Sequence, residues 1–199
     1  MPRECIPIPL KDAEIVLYPR LLTAVRAAAL FRQLLAEIDW RQEQTRIYGT
    51  LRQLPRLTAW YGDPGNSYAY SGIHLEPLPW TGTLAALRGR LEAVTGHRFN
   101  SVLLNLYRDG NDSVGWHSDN EPALGPNPVI GSLSFGATRR FMLQHQREKN
   151  LRQSIDLSAG SCLLMSGATQ RHWRHCLAKT RRRCGPRINL SYRQIRTQG

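Results

Sequence analysis

His117 and Asp119 stand two residues apart after Gly115 and Trp116, so on an extended backbone their side chains leave one face and can chelate one cation. A later histidine would complete two imidazoles and one carboxylate, a facial set that leaves coordination positions open on Fe(II). His175, in Arg171-His172-Trp173-Arg174-His175, fills that role best, and spacing alone leaves His172 as a competitor. Further along, Arg187, Asn189, Ser191 and Arg193 alternate with Ile188, Leu190 and Tyr192, which predicts a strand with one polar and one apolar face. Two arginines on an inward face need an anion, because a desolvated guanidinium without a partner is costly. A dicarboxylate supplies it, and the planar fork of Arg matches a carboxylate with two parallel hydrogen bonds. The stretch from Ser101 to Tyr107 repeats the logic: Leu103, Asn105 and Tyr107 share one face, and Asn105 and Tyr107 offer hydrogen bonds to the same ligand. Together these pieces predict one iron site with a dicarboxylate co-substrate.

The elements that must position them follow from periodicity. Residues from about 20 to 40 carry Leu22, Val25, Ala29, Leu30, Leu34 and Ile38 at helical spacing after Tyr18-Pro19, and predict a buttressing helix. A second helix uses Leu84, Leu87, Leu91 and Val94, starts after Thr81 or Thr83 and stops at Gly96. From residue 99 onward the chain breaks into short runs, at 101–107, 129–135, 139–145, 153–157, 161–165, 171–176 and 187–195. Regular short strands of this kind predict a double-sheet jelly roll of the cupin type, with the metal at its mouth.

With 199 residues, one domain is the simplest organisation. Lys and Arg number 27 against 15 Asp and Glu, for a net charge of +12, and the pI near 10.3 points to a polyanion partner. Cys5, Cys162, Cys176 and Cys184 form no Cys-x-x-Cys pair, which argues against a zinc ribbon and for four reduced thiols. Cys176, next to His175, would point to the opposite strand face. Two His and one Asp leave an open site, whereas structural zinc prefers four closed ligands. Ile6-Pro7-Ile8-Pro9 interrupts any signal-like apolar run, and no segment reaches the length of a membrane span. An intracellular monomer without membrane contact is therefore expected, cytoplasmic (nucleoid-associated if bacterial) or nuclear if eukaryotic.

The ordered set of motifs resembles the AlkB family of Fe(II)- and 2-oxoglutarate-dependent nucleic-acid dealkylases, in the branch of the eukaryotic homologues two and three. The likeness is carried by Asn-Leu-Tyr-Arg-Asp-Gly-Asn-Asp at 105–112, Trp-His-Ser-Asp-Asn-Glu at 116–121 and Ser-Leu-Ser-Phe-Gly-Ala at 132–137. His-Trp-Arg-His at 172–175 and Arg-Ile-Asn-Leu-Ser-Tyr-Arg at 187–193 continue it. Tyr61-Gly62-Asp63 and Tyr68-Ala69-Tyr70-Ser71-Gly72 extend it upstream, so that it covers residues from about 45 to about 195. The resemblance implies a mainly β, α+β fold: a double-stranded β-helix core over about 99–199, preceded over about 1–98 by helices and a nucleotide-recognition lid. It also implies Fe(II) on His117, Asp119 and His175, and 2-oxoglutarate on Asn105, Tyr107, Arg187, Asn189, Ser191 and Arg193, with either arginine free to meet either carboxylate. Dioxygen would oxidise the co-substrate to succinate and carbon dioxide while an N-methyl group leaves as formaldehyde.

The substrate implied is alkylated DNA, with 1-methyladenine and 3-methylcytosine the expected lesions, since methylation at the pairing edge weakens pairing and cheapens base extrusion. Tyr68 and Tyr70 match lid positions that flank the extruded base, where stacking is worth about 1–3 kcal/mol per base. Tyr48, in Arg46-Ile47-Tyr48-Gly49, matches a hairpin-tip wedge that is phenylalanine in the double-strand-acting homologue. Arg56 would contact backbone or the opposite strand, and Asn120 and Glu121 match positions that read the base edge. Lys179, Arg181, Arg182 and Arg183 lie in the loop expected at the barrel mouth and would meet phosphates. An RNA demethylase of the same mechanism is the alternative, since no residue visibly reads the sugar 2′-hydroxyl. A noncatalytic basic nucleic-acid-binding jelly roll is the alternative from outside enzymology.

Overall fold

The computed structural model describes residues 4–47, 49–66, 68–70 and 73–196, with the side chains of 46–47, 68–70 and 73–75 outside that description. In chain order the elements begin with β1 (Ile6–Pro7), β2 (Glu14–Tyr18), α1 (Ala24–Glu37), β3 (Gln44–Ile47), β4 (Thr50–Gln53), β5 (Leu57–Gly62), β6 (Tyr68–Tyr70) and β7 (Ile73–Leu75). They continue with α2 (Gly82–Thr95), β8 (Ser101–Tyr107), β9 (Val114–His117), a 3-10 turn (Pro122–Leu124), β10 (Ile130–Gly136), β11 (Arg139–His145) and β12 (Arg152–Leu157). The last are β13 (Cys162–Ser166), the short α3 (Thr169–His172), β14 (Trp173–Leu177) and β15 (Arg187–Arg193).

The strands form an antiparallel jelly roll: a seven-stranded major sheet, β1-β2-β13-β10-β15-β8-β5, and a four-stranded minor sheet, β12-β11-β14-β9. The double-stranded β-helix is thus the fold, but it is not confined to residues after 98. β2 pairs with β13 and β5 with β8, so the N-terminal half contributes three strands to the major sheet.

Both helices cover the outer face of that sheet. Thr81 caps α2 by accepting from the Leu84 amide at 3.2 Å, and Gly96 closes it at φ 73°, a conformation that glycine adopts without a Cβ penalty. Its Leu84, Leu87 and Leu91 pack with Leu104, Ile188, Leu190 and Tyr192 of the sheet. A Cβ on Gly131 would sit 2.5 Å from Leu91 Cδ2, so glycine there lets α2 approach. Burying each such leucine contributes about 1.5–3 kcal/mol. In α1 the buried stripe is Ala27, Leu30 and Leu34, whereas Val25 is 83% exposed and Ala29 is exposed. The predicted stripe joined residues that do not share a face: Val25 and Ala29 stand two positions either side of Ala27, about 200° round the helix, and so lie opposite the face that Ala27, Leu30 and Leu34 present at i, i+3, i+7. A second apolar cluster, with Ile130, Phe141, Leu143, Leu157 and Leu163, lies between the sheets. The alternation of β15 therefore has a direct outcome: Ile188, Leu190 and Tyr192 face the helices, and the polar residues face the minor sheet.

Candidate active site

The polar faces of β8 and β15 meet the minor sheet in one cavity, lined by Asn105, Tyr107, His117, Asp119, His175, Arg187, Asn189, Ser191 and Arg193. Register builds it: Asn105 lies opposite Asn189, Tyr107 opposite Arg187, and His175 opposite His117. His117, Asp119 and His175 each present a ligand atom within 4.8 Å of the others. His175 is 4% exposed, and Nε2 of each histidine lies 3.9 Å from an Asp119 oxygen. His117 Nδ1 donates to Gly115 O at 2.8 Å; a carbonyl only accepts, so the neutral ring keeps its Nε2 lone pair for a cation. Burial drives the His175 pKa down to about 3 and keeps that imidazole neutral, as a ligand must be. Burial alone would raise Asp119, but Arg193 and the two histidines outweigh it and hold the carboxyl below its usual range. The donor set suits iron(II).

His172 belongs elsewhere. With Asp12 and His145 it forms the other group of metal-capable side chains among the described residues. There the Glu148 amide donates to His145 Nδ1 at 3.0 Å, which places the ring hydrogen on Nε2, 3.5 Å from Asp12 Oδ2. A ring so fixed faces Asp12 with a donor instead of a lone pair, which spoils the set for a cation.

The arginines are held differently. Arg193 Nη2 donates to Asp119 Oδ1 at 2.9 Å, within the metal-capable group. Arg187 is 2% exposed and donates from Nη1 to Leu157 O at 2.9 Å and from Nη2 to Ser134 Oγ at 2.8 Å. Burial lowers its pKa to about 10, still a cation at neutral pH. The Nε of each arginine is buried without a hydrogen-bond partner, an arrangement expected of a site that awaits an anion. Asn189 donates to Ser132 Oγ at 2.7 Å and accepts from Ser191 at 3.0 Å. Burial raises the Tyr107 pKa, so its hydroxyl stays a donor.

Arg56 departs from expectation. It turns into the cavity and donates from Nε to Asn105 Oδ1 at 2.7 Å, because β5 runs beside β8 and carries it inward. Glu121 stands at the start of the 3-10 turn without a side-chain capping bond and has a buried Oε2 without a partner, while Asn120 is exposed. Lys179, Arg181, Arg182 and Arg183 are exposed on one loop, which Thr180 ties to Gly110 O at 2.8 Å. Unlike its exposed neighbour Arg140, Arg139 is buried. It donates to the carbonyls of Asp109, Asp112 and Ala178 and so joins the loop before β9 to the basic loop. Tyr48 lies outside the described residues; Tyr68 and Tyr70 sit on the β6–β7 hairpin by backbone alone.

The model of the 2OG-Fe(II) oxygenase superfamily matches residues 14–193. The human alpha-ketoglutarate-dependent dioxygenase alkB homolog 3 is 43% identical over 92% of this chain, and mouse DNA oxidative demethylase ALKBH2 is 38% identical over 89%. The chain is a 2OG-Fe(II) oxygenase of the AlkB family. It spans 66% of the length of the human relative and 79% of the mouse one. The solved structure of OsALKBH1 shares the fold at a TM-score of 0.63 and 15% identity, covering 95% of this chain and all of that one. Iron(II), 2-oxoglutarate and dioxygen are the reactants that give this AlkB-family oxygenase its class, and the His-Asp-His group fits the metal.

Proposed function

We propose that this AlkB-family chain removes N-methyl groups from alkylated DNA bases, 1-methyladenine and 3-methylcytosine among them. The observation that carries the reading is the cavity itself, where three metal-capable ligands adjoin two arginines whose buried Nε atoms have no partner. His117, Asp119 and His175 would hold iron(II), which supplies oxidation of the methyl group coupled to decarboxylation of 2-oxoglutarate. Arg193, already on Asp119, would take the carboxylate nearer the metal, and Arg187 the remote one, with Ser191, Asn189, Asn105 and Tyr107 fixing the chain between them. Arg56 would orient Asn105. Glu121 Oε2, buried and unpartnered, would accept from the exocyclic amine of the base. Tyr48, Tyr68 and Tyr70 would hold the extruded base, with Asn120 at its edge and Lys179 and Arg181 to Arg183 on the phosphates. The hydroxymethyl product loses formaldehyde and leaves the unmodified base.

The mouse relative, named DNA oxidative demethylase ALKBH2, supports the substrate class. The test is anaerobic loading with Fe(II) and 2-oxoglutarate, then air and an oligonucleotide carrying 1-methyladenine, with mass spectrometry of base and succinate. Demethylation coupled to succinate is expected for DNA. Turnover restricted to a methylated RNA oligomer would move the substrate, and succinate with neither would end the demethylase reading.

A further inference from the structure

Outside the cavity, the opposite face of the minor sheet carries a feature that the demethylase reading leaves unused. Trp116 and Arg174 immediately precede His117 and His175, and strand alternation turns them to the outer face. Trp116, on the edge strand β9, is 40% exposed. The Arg174 guanidinium carbon lies 5.1 Å from the centre of its ring, and Arg174 Nε is anchored on Gln144 Oε1 at 3.2 Å. Gln144 lies opposite Arg174 on one side and Arg152 on the other, so the row across the sheet runs from the half-buried Arg174 to an exposed cation. The four strands contain one acid, Asp156, and it is paired with Arg140 at 3.1 Å.

An indole held against a guanidinium, on a face without free acids, matches a nucleobase with its phosphate: the rings stack and the cations meet the anion. Its place on the edge strand sets it one residue from His117, which lines the cavity. We propose that Trp116 and Arg174 form a stacking platform for an unpaired base of a single polynucleotide strand, next to the nucleotide held in the cavity. This rests on the nucleic-acid reading of the cavity. A base inside a duplex is already stacked on its neighbours, so the platform takes single strands.

The test is fluorescence anisotropy of a labelled short oligothymidylate with the full chain, alone and annealed to its complement. Trp116→Ala should weaken single-strand binding by about fivefold or more, and Trp116→Phe, which keeps a ring, should restore it to within about twofold. Duplex binding should not follow this pattern. Arg174→Gln should lower the salt dependence by about one phosphate contact. Single-strand binding unchanged in Trp116→Ala, with demethylation by the wild type intact, overturns the platform alone. Equal loss in Ala and Phe, or equal loss on duplex, overturns it as well by assigning Trp116 a structural role. A wild type that binds no oligonucleotide overturns both the platform and the nucleic-acid reading beneath it.

Discussion

Replacing Arg187 by Lys keeps a cation at the far end of the cavity and removes the fork. In the wild type, Nη1 is engaged with Leu157 O and Nη2 with Ser134 Oγ, which leaves Nε and a second Nη2 hydrogen for a carboxylate. The ammonium of lysine, a compact point charge, cannot present two parallel donors. The variant therefore loses one charge-assisted hydrogen bond, worth about 1.5–3 kcal/mol, or roughly 10- to 150-fold in affinity. The assay is thermal unfolding with 2-oxoglutarate and Mn(II) in place of iron, so that nothing turns over. At 100 times its dissociation constant the co-substrate stabilises the wild type by about 2.7 kcal/mol. A domain of this size gains roughly 2–4 °C per kcal/mol, which gives a shift of about 5–10 °C. At the same concentration Arg187→Lys retains about 0.3–1.4 kcal/mol, a shift of about 1–6 °C. The unfolding temperature without ligand reports separately on folding. A variant that keeps the full wild-type shift would refute the claim that this fork holds the remote carboxylate.

Two further outcomes test the scaffold. Burial would raise the Asp112 carboxyl, yet the side-chain and backbone donors of Arg108 bring it below the usual range. A depressed folded value means stability that is present above the unfolded pKa of about 3.9 and lost as pH falls through the folded one. Asp112→Asn should therefore lower the urea midpoint at neutral pH, by a margin that shrinks as the pH falls below about 3.9. Arg139→Met strips three donors from the carbonyls of Asp109, Asp112 and Ala178, and should cost about 3 kcal/mol in urea unfolding.

The second half of the molecule was legible because its strands alternate: residues 187–193 declare both faces, and both outcomes follow in the cavity and the helix contact. Thr81 and Gly96 likewise mark α2 by their cap chemistry. Less was legible where identity depends on register. His172 and His175 were equivalent by spacing, and the pairing of His175 with His117 across β9 and β14 separates them. Arg56 follows a proline and reads locally as a loop residue; only the pairing of β5 with β8 turns it inward. β2, Glu-Ile-Val-Leu-Tyr, has no period-two alternation, so nothing local announced its place in the major sheet.

The position of β15 also has a consequence for how the enzyme is made. The ribosome delivers this strand after every other described one, yet it lies between β10 and β8 in the middle of the major sheet. Until it emerges, those two neighbours each lack a partner, and α1 and α2 have no continuous sheet to cover. Early strands must wait too, since β2 pairs with residues 162–166. Sheets joined over such sequence separations fold slowly and expose edges meanwhile. Residues 187–193 thus complete the major sheet and line the cavity at once, so neither is whole without the other.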